Sequence, residues 1–436
     1  MTFCKSLLLL FLSLVTPLTN AAQRIERWQT ASGARVLFVE SHALPIVDVQ
    51  VDFAAGTAYE DQAQAGVASL TRELVELGVA GMEETQVASR MADVGAQLSG
   101  EVDRDRASLT LRTLSMADKR SVAFELLRAI LSTPQFPAAV FEREKARSVA
   151  ALKEALTRPE TLAKRAFWSA MYGAHPYGRQ ATVASLAALE RAQVLAFHAA
   201  HYTAPRATLA IVGDLSRAQA EAVAEELTAA LPASPGMSTI AVPALPAASE
   251  QWIAHPAEQA HLLLGLPALK RGDPDFFPLL VGNYTLGGGG FVSRLMKAVR
   301  DRRGLAYSVH SDFQPLAQLG PFEIGLQTKK EQALDALGLT REVLARFLAQ
   351  GPSEEELRAA KQNLIGSFPL RLDSNREILR SVAVIGFYEL PLDYLERYPE
   401  NIEKVTLADI KAAFARRVRR EHLVTVIVAG DRGSRP

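Results

Sequence analysis

A single cysteine, Cys4, is all the thiol that this chain of 436 residues holds. It lies in the first few residues. No disulfide can therefore staple the body of the protein, and no cysteine nucleophile or thiolate metal site can be built there. Excess charge is absent as well. The 48 Lys plus Arg balance 48 Asp plus Glu, which gives no general attraction to nucleic acid or to an anionic membrane surface. Long apolar runs are missing except near the N-terminus, where Leu7 to Leu18 is too short to span a bilayer comfortably. With Lys5 before it and small residues after it, MTFCKSLLLLFLSLVTPLTNAAQ reads as a secretory signal over residues 1–22, cleaved after Ala21 or Ala22. The expected location is then the periplasm, with no stable membrane span. Retention of the signal as an uncleaved anchor is the alternative.

What is present is a soluble globular composition, with 48% hydrophobic and 22% charged residues. The length exceeds what one ordinary core organises. Comparing the chain with itself shows a duplication. ATLAIVGD (Ala207 to Asp214) resembles VTVIVAGD (Val424 to Asp431), and Gly213 and Gly430 are 217 positions apart. Phe197 and Phe414, each in a helix-like stretch before its strand, are separated by the same 217. A period of that length implies two copies of one domain. The segment PASPGMSTIAVPALPAAS, rich in Pro, Ala and Ser, reads as the linker. The expected organisation is a signal at 1–22, a first domain at 23–232, a linker at 233–249 and a second domain at 250–436.

In the first copy, ARVLFVE, IVDVQVDFAAG, GAQLSGEVD and ASLTLRTL read as strands. Helices are expected at 66–78, at TQVASRMADVG, at SVAFELLRAILS and from Phe141 onward. The second copy repeats the theme with strands at AHLLLGLPAL and PFEIGLQTK and a helix at FFPLLVGNYTL. This mixture predicts α+β domains, each with helices on one sheet face.

In the first helix, Val67, Leu70, Leu74 and Leu77 form an apolar stripe, and Ser69, Arg72, Glu73 and Glu76 fall opposite. Positions 69 and 73 are i and i+4, so their side chains meet on one face. Two histidines there, with a glutamate beside them, would make a zinc site.

GTAYEDQAQAGVASLTREL resembles the segment of the inverzincin metallopeptidases, the pitrilysin, insulinase and mitochondrial processing peptidase group, that carries their zinc ligands. HPYGR (His175 to Arg179), AIVGD, and above all LGGGGFVSRLMKAVRDRRGLAYSV (Leu286 to Val309) are similar to further landmarks of that family. The likeness covers nearly the whole mature chain. It implies two insulinase-like domains in tandem, forming half of a clam-shell.

The resemblance places the family's zinc ligands at Ser69 and Glu73, its general base at Arg72, and a third ligand seven residues past Glu144, at Ala151. Zinc favours neutral imidazoles and a carboxylate, with one position left for water. A serine hydroxyl is a poor substitute, and an arginine neither takes a proton nor binds a cation. Hydrolysis by this chain alone is not expected, nor is any bound metal. The family also uses an Arg and a Tyr seven residues apart in the second domain to hold substrate, and Arg300 and Tyr307 keep that spacing. A guanidinium and a phenol are donors suited to a peptide carbonyl or its oxyanion. A degenerate zinc motif with the Arg/Tyr pair retained resembles the non-catalytic subunit of bacterial heterodimeric members, whose zinc-bearing homologous partner performs peptide hydrolysis. Two rival readings stay open. One is a non-enzymatic, peptide-binding or scaffolding homodimer in the cell envelope. The other is an active zinc peptidase using Glu73, Glu76 and Glu154.

Weaker signals read as structure. Gly287, Gly288, Gly289 and Gly290 lack the Lys-Ser/Thr of a phosphate loop and suit a tight loop lining the chamber. His198 and His201 share a helix face without an evident third ligand. His175 belongs to a turn, and RRVRR (Arg416 to Arg420) reads as a solvated helix end.

Overall fold

The structure is a computed structural model describing residues 24–233 and 239–431. The expected signal at 1–22, with Cys4, lies outside them, as does part of the expected linker. The first half runs β1 (Glu26–Gln29), β2 (Arg35–Glu40), β3 (Ile46–Phe53), α1 (Val67–Leu74), α2 (Glu84–Asp93), β4 (Gln97–Ser99), β5 (Ala107–Leu114), α3 (Ala117–Ser132), α4 (Ala138–Ala155), α5 (Pro159–Tyr172), α6 (Val183–Ala188), α7 (Arg191–His201), β6 (Ala207–Gly213) and α8 (Arg217–Thr228). The second half runs β7 (Ser249–Ala254), β8 (Gln259–Leu269), α9 (Phe276–Asn283), β9 (Ser308–Phe313), β10 (Gly320–Lys329), α10 (Ala333–Gln350), α11 (Glu354–Gly366), α12 (Asn375–Phe387), α13 (Tyr394–Glu403), α14 (Leu407–Arg417) and β11 (Val424–Ala429).

Two open mixed sheets result. The first is ordered β1-β2-β6-β3-β5-β4 and the second β7-β11-β8-β10-β9. Without β1, the two orders correspond strand for strand. In each, one parallel pair, β2 with β6 or β7 with β11, sits in an otherwise antiparallel ladder. The duplication seen in the sequence is thus a duplication of topology. β4 and β9, the equivalent edge strands, lie next to the two motifs that carry the functional argument.

Each sheet carries helices of its own half on one face, as expected, but its other face is covered as well. β6 and β11 are buried at every residue, so both their faces need cover. On one face each sheet packs against helices of its own half. On the other, the cover is exchanged. From the second half, Ile378, Val382 and Ala383 of α12 pack on Leu37, Val39, Ala210 and Val212 of the first sheet. From the first half, Phe167, Trp168 and Met171 of α5 pack on Val424, Val426 and Val428 of the second. The approach is close in both places. A Cβ at Gly386 would lie 2.4 Å from Leu37 Cδ1, and one at Gly265 would lie 2.9 Å from Phe167 Cζ.

A buried carboxylate fastens the two halves. Asp105 is fully buried. It accepts from Tyr177 Oη at 2.5 Å, from Tyr388 Oη at 2.9 Å and from the backbone N–H of Ala317 at 2.8 Å. Tyr177 Oη accepts in turn from the N–H of Gln318. The HPYG turn, expected to be structural, therefore also serves as a joint. Burial holds the Asp105 carboxyl above its ordinary range.

Several expectations need correction. β7 begins at Ser249, inside the expected linker end, and the strand expected over GAQLSGEVD shrinks to three residues. α1 ends at Leu74 rather than 78. The RRVRR segment is not merely solvated, because Arg416 and Arg417 pair with the buried carboxylates of Asp273 and Asp275 at the start of α9. His198 is buried against the Leu131 carbonyl, and His201 accepts from Arg206, so both pack.

Because α5 covers the other half's sheet, Phe167→Ala should act across the junction. The expected loss is about 3–5 kcal/mol. Amide exchange should show protection falling more in β8 and β11 than in β3 and β6.

Candidate functional site

The helix that would carry a zinc motif is held at its N-terminus by a carboxylate. Gly66 caps α1 with φ 108°, a left-handed turn that favours glycine. Glu60 Oε1 accepts from the N–H of Ala68 at 2.8 Å, satisfying a free donor of the first turn. Arg179 Nη1 donates to the Glu60 carbonyl. The YED and HPYGR landmarks thus meet, and what they do together is orient α1. Burial pushes the Glu60 carboxyl up to about 7.

Along α1 the motif positions diverge. Ser69 is exposed. Arg72, expected on the solvent stripe, is only 6% exposed. Its Nε donates to the Ser108 carbonyl at 2.7 Å and its Nη1 lies 3.5 Å from Glu76 Oε1. The guanidinium lies against the bare Cα of Gly100, just past β4, where a Cβ would come within 2.2 Å of Nη2. The guanidinium thus occupies the position at which the sequence resemblance expects the general base. Glu73 is half-buried, and its carboxyl is raised by burial and by the neighbouring Glu144. Glu144 is buried and engaged by Arg143 at 2.6 Å and Arg147 at 3.5 Å.

Ala151 and Glu154 both point outward, and Glu154 pairs with Arg158. Among the described residues no three His, Cys, Asp or Glu side chains gather closely enough to hold a metal ion. The set Glu73, Glu76 and Glu154 accordingly does not converge among the described residues.

The second group is assembled around Arg300. The glycine-rich segment folds back on α9 as a π-helical turn over Tyr284–Gly288 and a short 3-10 turn over Gly290–Val292. Gly287 is packed on Ser311 of β9, and Gly288 and Gly289 lie on Asn283 and Tyr284, with no room for a Cβ at any of the three. Asn283 and Ser311 exchange hydrogen bonds beneath them. Arg300 follows in a second π-helical turn, Met296–Asp301. Tyr307 precedes edge strand β9 and is 79% exposed. The Arg300 guanidinium carbon lies 5.4 Å from the centre of the Tyr307 ring and 4.7 Å from that of Phe291. No acceptor among the described residues takes a hydrogen bond from the Arg300 side chain.

The structure therefore brings Arg300 and Tyr307 together, and it adds Phe291, which the sequence reading passed over. It sets Glu73 beside Glu144, turns Arg72 to the Ser108 carbonyl and Glu76, and leaves Ser69 and Ala151 exposed. No hydrogen bond, ion pair or ring contact links the two groups among the described residues. A cavity of about 640 Å³ lies beside β4, lined in part by Gln97, Gly100, Arg106, Arg112 and Arg376.

Comparison with known proteins places the chain in a family. The model described as insulinase (peptidase family M16) matches residues 35–184, and that described as peptidase M16 inactive domain matches residues 188–364. A crystal structure of a peptidase M16 inactive domain from Pseudomonas fluorescens shares 38% identity, covering 94% of this chain and 99% of that one, with a TM-score of 0.91. The chain belongs to the insulinase (M16) family. It is an inactive member. A non-peptidase homologue, YmxG, of Helicobacter pylori is 25% identical over 86% of this chain and 87% of its own. An uncharacterized zinc protease of Mycobacterium bovis is 26% identical over 95% of each. The periplasmic protease PqqL of Escherichia coli shares the fold, with a TM-score of 0.79 at 17% identity over 94% of this chain and 46% of that one.

The Glu60 cap yields a pH test. Its folded value, about 7, stands above that of an unfolded glutamate. Its contribution to stability is therefore complete below about pH 4.5 and lost as pH rises through about 7. Relative to Glu60→Gln, the wild type should lose on the order of 2–3 kcal/mol across that window, read from urea unfolding at both ends.

Proposed function

We propose that this protein is the non-catalytic, substrate-binding subunit of a heterodimeric zinc metallopeptidase, and that a homologous partner chain supplies the zinc. One observation carries the reading. The α1 motif is filled by a buried arginine, while the Arg300–Tyr307 donors stand open and unengaged by any described residue. A chain that had simply lost its function would have no reason to keep a guanidinium free of acceptors beside an exposed phenol. Two donors converging on one carbonyl would orient a peptide in the ground state and stabilise the oxyanion that forms when metal-bound water attacks it. Arg72 has the opposite effect on its own side, since it holds no base and repels a dication.

The substrate on this reading is an extended peptide, bound partly by addition to an edge strand such as β9, beside Tyr307. The domain limits 23–232 and 250–436, the signal at 1–22 and export to the periplasm belong to the same proposal. No helix among the described residues is long and apolar enough to cross a membrane, and the structural neighbour PqqL is described as periplasmic.

A tagged chain captured from its native cell should bring down a zinc-bearing M16 homologue of similar size. In the reconstituted pair, Arg300→Ala combined with Tyr307→Phe should lower peptide turnover by at least about a hundredfold with the partner's zinc content unchanged. Unchanged turnover would remove the role assigned to these side chains. Capture of only a second copy of the chain would favour the homodimer.

A further inference from the structure

Of the large hydrophobic side chains that stand exposed among the described residues, only two are aromatic: Phe291 at 66% and Tyr307 at 79%. Both lie on the same guanidinium, that of Arg300. Val292, the neighbour of Phe291, is also exposed. An exposed phenylalanine at the tip of a loop is a poor choice for solubility, and a cluster of such residues marks a contact surface.

The loop does not present this ring by being loose. Gly290 turns the chain with φ 59°, the Ser293 hydroxyl closes the turn onto the Gly290 carbonyl at 2.7 Å, and the glycines before it are packed on Ser311, Asn283 and Tyr284. Phe291 is therefore held outward. With rings against the Arg300 guanidinium, what remains for a ligand is its N–H edge, which no described residue uses. A carbonyl at that edge would carry its neighbouring side chain over Phe291 and Val292.

We propose that Phe291, with Val292, forms a specificity-determining shelf for the Arg300–Tyr307 site, selecting peptides with a bulky apolar side chain beside the carbonyl that Arg300 holds. This rests on the substrate-binding reading above. The size of the patch favours a peptide over a protein surface. Three side chains offer on the order of 400 Å², about half of the roughly 800 Å² that each partner buries in a stable protein interface. They match the dimensions of one or two residues.

The test uses the mature chain and two fluorescein-labelled twelve-residue peptides of Gly, Ser and Thr that differ only in a central Phe or Ser. Anisotropy should show the Phe-centred peptide binding at least about tenfold more tightly. Phe291→Ala should erase that ratio, and Phe291→Leu should keep most of it. Arg300→Ala should weaken both peptides alike. A ratio unchanged in Phe291→Ala overturns the shelf and leaves the substrate-binding reading standing. Failure of the wild type to bind either peptide overturns both. If Phe291→Ala instead releases the zinc-bearing partner while the ratio persists, the patch is a partner contact and the inference is wrong.

Discussion

Each sheet of this protein has a second apolar face that helices of its own half leave open, and closing that face with a helix from the other half is the constraint on which the rest depends. β6 and β11 are buried at every residue, so neither sheet is stable in water without α12 or α5 across it. The exchange interlocks the halves, and the Asp105 joint, with two tyrosine hydroxyls and a backbone N–H on one buried carboxylate, sets their relation. Edge strands β4 and β9 are left at equivalent places, each with one of the two family motifs beside it.

On that frame the two motifs have diverged in opposite directions. Around α1, Glu60 caps the helix and Arg179 holds Glu60. Arg72, bound to the Ser108 carbonyl and close to Glu76, is built into the structure. Around Arg300, the loop, the π-helical turn and the strand behind them are packed tightly to present donors and rings that no described residue uses.

Much of this was legible in the sequence. The repeat of the two glycine-ended strands gave the duplication, alternating apolar runs gave most strands, and the spacing of Arg300 and Tyr307 gave the pair. What escaped has physical reasons. Nothing local in α5 or α12 says which sheet its apolar stripe will meet, because that is settled by tertiary packing. Helical periodicity assigned Arg72 to solvent, but a long side chain reaches back under its helix to a carbonyl that a position count cannot see. The ion pairs of Arg416 and Arg417 span more than a hundred residues to Asp273 and Asp275. Phe291 went unnoticed because a phenylalanine among apolar neighbours reads as core until the loop carrying it is seen to turn outward.

The central claim is that this chain grips a peptide but cannot supply the metal that cleaves it. Metal analysis of the purified mature chain, after incubation with excess zinc and gel filtration, tests it most directly when paired with a peptide-hydrolysis assay on the same sample. The account predicts far less than one zinc per chain and no hydrolysis. One zinc per chain, retained together with turnover, would contradict it.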